Sequence, residues 1–180
     1  MSQDAVMTVA LSAGVPAGQT PINFAAHQVR ANAHGARQDF EEMIGQLVQA
    51  VRPGVAKMVA ANPGDWGIDV FIGNLGGAVT VWQSEYFMPE VNKSHQAQIR
   101  ESFDSVVKNA AKEGFTLTRW ILCVPSSMDG PTTKWWDTWK RKKEREVGIV
   151  IDLWDETELR SLLISTRRRS GPSSTRWTLR

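Results

Sequence analysis

Apolar residues along this chain recur at two spacings, and the switches between them mark out most of its elements. In "DFEEMIGQLVQAV" the residues Phe40, Met43, Ile44, Leu47, Val48 and Val51 lie three and four apart. That spacing predicts a helix with one apolar face, ended by Pro53 and Gly54. A short segment from Val55 to Ala60 reads as a weak strand, and "NPGDWG" as a turn. Next, "IDVFIG" and "AVTVWQSEYF" are rich in β-branched and aromatic residues and flank "NLGG", which is the pattern of a hairpin. From Asn92 to Glu113 the period returns to that of a helix, with Ile99, Phe103, Val106, Val107 and Ala110 on one face. "TRWILCVP" is a continuous apolar run, as expected of a strand covered on both sides. "KWWDTWKRKKEREV" predicts a helix, "GIVIDLW" a strand, and "DETELRSLLI" a last helix capped by Asp155. This order predicts an α/β sandwich: a mixed central β-sheet flanked by helices on both faces. Residues 1–35, rich in Ala, Gly, Pro and Gln, read as an N-terminal arm containing at most a short helix near "INFAAHQVRANAH". Residues 36–165 form the domain, and residues 166–180 a basic flexible tail.

One strand breaks its own pattern. In "VTVWQSEYF" alternation places Gln83 and Glu85 on the same face as Val79 and Val81. A buried carboxylate is costly unless it is paired or binds a metal. Two readings stand at this point. Either the strand end emerges into solvent, or the polar pair belongs to a site. A hairpin turn centred near Gly76 sets Asp69 opposite Gln83 and Glu85 one step further along. Glu41 and Glu42 border the apolar face of the first helix and can reach the sheet edge. Asp, Glu and a side-chain oxygen converging at a strand end suit a hard cation such as magnesium, which takes one or two protein carboxylates and keeps several waters. Such an ion activates water and stabilises charge on a phosphate.

Composition narrows the setting. The chain has 180 residues, 42% hydrophobic and 22% charged, which suits one soluble domain with extensions. Its one cysteine, Cys123, excludes an internal disulfide and reads as a small apolar residue of a buried strand. Asp4 and the lack of an early Lys or Arg do not resemble a secretory signal, and no apolar run is long enough for a membrane span. A cytoplasmic protein without membrane contact is expected. The net charge of +2 is uneven: five of the 21 basic residues lie after Ser165, so the rest is mildly acidic against 19 Asp and Glu. Nucleic-acid binding would therefore depend on local patches. Lys140 and Arg141, beside Trp135, Trp136 and Trp139, form one candidate patch; the alternative is that the indoles pack under the helix while the charges are solvated. Lys93, Gln96 and Arg100 on the preceding helix form another, and His95 suits a role at that helix's start. The tail "TRRRSGPSSTRWTLR" reads as a DNA-contacting arm, a linker or a disordered end.

Taken together, "DFEEMIGQLV", "PGDWGIDVFIG", "VTVWQSEYF", the following helix and "RWILCVP" resemble the PD-(D/E)xK superfamily, the restriction-endonuclease-like fold. The similarity is greatest to Mrr-like nuclease domains of bacterial antiviral defence proteins, and it extends over about Arg37 to Leu163. The resemblance implies a magnesium- or manganese-dependent endonuclease acting on double-stranded DNA. It implies Glu41 as the helix acid, Asp69 as the metal-binding aspartate, and Gln83 in place of the second acid. A homodimer, and a further sensor domain or partner protein, are the associations expected of such an effector. Glu85 stands where the family has lysine, a reversal of charge at a catalytic position. Three readings follow: a working ligand or base, a degenerate module retained for nucleic-acid binding or assembly, or a Lys→Glu change that silences the enzyme.

Overall fold

The computed structural model describes residues 22–30, 33–58, 66 and 68–169. Five strands, β1 (Ala56–Met58), β2 (Val70–Gly73), β3 (Ala78–Ser84), β4 (Thr116–Cys123) and β5 (Val150–Trp154), form one sheet in chain order. β1, β2 and β3 are antiparallel neighbours, whereas β3–β4 and β4–β5 are parallel. A tight turn suffices for an antiparallel pair, but parallel strands need a crossover. Here the crossovers are α3 (Lys93–Glu113) and α4 (Gly130–Val147). Before the sheet come α1 (Ala26–Arg30) and α2 (Ala33–Val51); α5 (Glu156–Arg169) follows it.

Alternation along the strands sorts the core into two layers. Phe71, Val79, Val81, Trp120 and Leu122 pack against Ile99, Phe103 and Val106 of α3 and Trp136 and Trp139 of α4. On the opposite face, Val70, Trp82, Ile121 and Cys123 meet Phe40, Ile44, Leu47 and Val48 of α2 and Leu159 of α5. This is the predicted α/β sandwich, and β4 is the strand covered on both sides. The tryptophans of α4 lie underneath it: Trp136 and Trp139 are buried, and Trp135 packs against the same cluster.

Local chemistry sets the ends of the elements. α3 begins at Asn92, whose Oδ1 accepts from the His95 backbone N–H at 3.0 Å, while the His95 ring faces the Asn92 N–H in a capping box. His95 also stacks on Phe87 at 4.2 Å, so its role is the helix start. α3 stops at Gly114, held at φ 81, where a side chain would be strained. Asp129 caps α4 through the Thr132 N–H, and Asp155 caps α5 through Thr157 and Glu158.

Three boundaries differ from those read in the sequence. β3 stops at Ser84 rather than Phe87: β2 pairing already ends at Trp82, and Ser84 faces Cys123, the last residue of β4. α5 continues into the expected tail, with Thr166 buried and its hydroxyl donating to the Leu162 carbonyl. The end of the expected N-terminal arm packs on the fold, because Phe24, and His27 within α1, are buried. Residues 1–21, most of the "NPGDWG" turn and residues 170–180 lie outside the described residues. Among those described, no helix is long and apolar enough to cross a membrane.

Candidate active site

The β2–β3 register pairs Val70 with Trp82, so Asp69 lies one step beyond, opposite Gln83. Along β3, alternation places Gln83 under α3 and α4 with Val79 and Val81. Its side chain is 7% exposed, and its Oε1 accepts from the Trp120 indole N–H at 3.0 Å. A buried amide oxygen requires a donor, and the core supplies one.

Asp69 acts at the end of the ladder. The Glu85 N–H donates to the Cys123 carbonyl on β4, so the Ser84 N–H points the other way, past the start of β2. The Asp69 Oδ2 accepts that N–H at 2.6 Å and the Ser84 hydroxyl at 2.5 Å, taking the place of the missing strand partner.

Glu85 follows, just outside β3 and still 7% exposed. Its Oε1 accepts from the Ser102 hydroxyl of α3 at 2.9 Å, and its Oε2 lies 3.4 Å from Nη2 of Arg37 on α2. Both helical layers thus close on one carboxyl at the end of the sheet. Burial pushes its pKa above the usual carboxylate range; the Ser102 bond and the Arg37 charge pull it down, and the Asp69 carboxylate adds a further push upward. The carboxylates therefore do sense one another, but desolvation outweighs their repulsion.

The remaining residues singled out from the sequence divide by position. Glu41 is half-buried and lies one turn along α2 from Arg37, on the side that reaches Glu85. Glu42 is exposed and accepts from Gln46 at 3.0 Å. Lys93 is exposed and Gln96 half-buried in the first turns of α3. Arg100 lies over the Trp135 ring, 5.7 Å from its centroid. Lys140 is 3.9 Å from both Glu144 and Asp152, while Arg141 donates to the Asp137 carbonyl. Asp69 and Glu85 thus act on one another at the end of β3 with Glu41 on the adjoining helix, Gln83 is turned to Trp120 in the core, and Lys140 and Arg141 lie elsewhere on α4.

Arg37, Ser84, Ser102 and Trp120 also build this site, although the sequence reading did not select them. Arg37 was the one with a signal, since it precedes Glu41 by one helical turn. Among the described residues, no three His, Cys, Asp or Glu side chains gather as a metal-ligand cluster. No protein-family model and no curated protein matches this sequence.

Proposed function

We propose that this chain is a DNA-binding module on a restriction-endonuclease-type scaffold, with its hydrolytic centre closed in this sequence by Glu85. The observation that carries the reading is the clamp on Glu85. Where the resemblance expects a lysine, a buried carboxyl is bonded to Ser102 and paired with Arg37, beside Asp69 and two residues after Gln83.

Magnesium or manganese would supply water activation and charge neutralisation at a phosphate. Asp69 and Glu41 have the oxygen chemistry for such an ion, but the arrangement around them does not fit one. Both Glu85 oxygens are engaged, and the Arg37 cation already stands at the carboxylate. A second reading, a working nuclease with Glu85 as ligand, draws on one observation: Asp69 lies close enough to raise the Glu85 pKa, as neighbouring metal-binding carboxylates do.

The test is plasmid nicking with magnesium or manganese, run on this chain and on Glu85→Lys. The expected result is no cleavage by the parent, metal-dependent nicking by Glu85→Lys, and duplex binding by both. Cleavage by the parent that Glu85→Lys abolishes would replace this reading with the second one. Cleavage by neither, combined with no DNA binding, would remove nucleic acid from the account.

A further inference from the structure

The basic run on α4 separates into two sets once its partners are placed. Lys140 faces Glu144 and Asp152; Lys143 faces Asp104 at 3.0 Å and Glu146 at 3.7 Å; Lys142 faces Glu146 at 3.8 Å. Those three are neutralised within the fold. Lys134, Arg141 and Arg145 are exposed, and none of them is ion-paired among the described residues.

Their spacing places them on one stripe. Positions 134, 141 and 145 are seven and four residues apart, turning away from buried Thr132, Trp136 and Trp139. With a rise of 1.5 Å per residue, Lys134 and Arg145 are about 16 Å apart along the helix. One strand of duplex DNA carries a charge about every 3.4 Å of axis, so the stripe spans roughly five phosphates. Asp137 is the one exposed acid within that span, leaving the stripe a net two positive charges from these four residues. At its start Arg100 of α3 lies over the ring of Trp135, the residue that follows Lys134.

The stripe also begins at the end of the sheet where the candidate site lies. α4 leaves from the C-terminal end of β4, whose Cys123 carbonyl receives the Glu85 N–H. Its first turn rests on the segment after Glu85, through the Thr132 hydroxyl and the Val91 carbonyl.

From this we infer that the outward stripe of Lys134, Arg141 and Arg145 on α4 is a phosphate-contacting surface that follows one strand of duplex DNA away from the candidate site. The inference rests on the DNA-binding reading above. It also separates Arg141 from Lys140, its companion in the candidate patch read from the sequence, because Lys140 is held by acids.

The test is fluorescence anisotropy of a short labelled DNA duplex over a range of salt concentrations. Three full-length proteins are compared: the parent, the triple variant Lys134→Gln/Arg141→Gln/Arg145→Gln, and the control Lys140→Gln/Lys143→Gln. Each lost phosphate contact lowers the slope of log K against log salt by about one, so the triple variant should lose about three. It should lose affinity equally for unrelated sequences, while the control keeps the parental slope. All three replaced side chains are exposed, and matching urea midpoints for parent and triple variant verify that folding is intact. A parent that binds DNA with the same slope as the triple variant would overturn the inference and leave the DNA-binding reading standing. Equal losses in the triple variant and the control would also overturn it. A parent that does not bind duplex would overturn both. A triple variant that loses binding to poly-glutamate but not to DNA would assign the stripe to an acidic protein instead.

Discussion

Trp120→Phe isolates the bond that holds Gln83. Trp120 is fully buried, with its ring edge-on to Phe103 at 5.2 Å and its N–H on the Gln83 oxygen at 3.0 Å. Phenylalanine keeps an aromatic ring there but removes the donor, leaving a buried amide oxygen without a partner, at a cost of about 2 kcal/mol. Lost packing where the larger ring stood adds about 1 kcal/mol. The total of about 3 kcal/mol corresponds to a fall in Tm of roughly 6–12 °C for a chain of this size. Gln83→Met, similar in shape but without the acceptor, strands the indole N–H and should cost about 2 kcal/mol. The double variant carries neither polar group. It should therefore be clearly more stable than the sum of the two single losses, by about 2 kcal/mol or more. Urea unfolding followed by far-UV circular dichroism measures all four proteins without relying on the removed tryptophan. Strict additivity would refute the reasoning, because it would mean that the two groups do not depend on one another.

Two further outcomes follow from the burial of Glu85 and Cys123. The pKa of Glu85 is raised in the folded state above its ordinary value of 4.5, so its contribution to stability is full below that value and is lost as pH rises through the folded-state pKa. Glu85→Gln should therefore stabilise the protein at neutral pH by about 1 kcal/mol, the low end for a poorly compensated buried polar group, and the gap should close on acidification; a gap that widens in acid would contradict the sign. The Cys123 thiol is pushed well above its usual range by complete burial and, secondarily, by the Asp69 carboxylate. It should resist maleimide in the native protein and react fully in denaturant, so labelling of the native chain within minutes would show that the β3–β4 core opens.

The spacing of apolar residues made the sheet and its long helices legible, since each of those segments has an uninterrupted period. The ends of elements were less so. "EYF" continues the apolar character of β3, but the strand stops where its pairing with β4 ends at Cys123, and that depends on a different part of the chain. The hairpin turn made the Asp69–Gln83 juxtaposition legible. What each side chain bonds to was not, because Trp120 lies far along the sequence from Gln83 and reaches it only across the parallel β3–β4 pair. The charge run on α4 looked uniform for the same reason: Asp104 and Asp152, which neutralise part of it, belong to other elements.

The strand order has a consequence for how the chain folds. Because neighbours in the sheet are also successive in the sequence, no strand has to be inserted between two that have already paired. Each pairing closes a loop no longer than one hairpin or one crossover helix, so the entropy lost at each closure is modest and grows only slowly with loop length. Such locally wired topologies lie toward the fast side for mixed α/β domains. During synthesis the antiparallel strands β1, β2 and β3 emerge first and leave the β3 edge free, which β4 extends once α3 is complete and β5 extends after α4. The nascent sheet grows in one direction, and the buried strand β4 receives its second neighbour last.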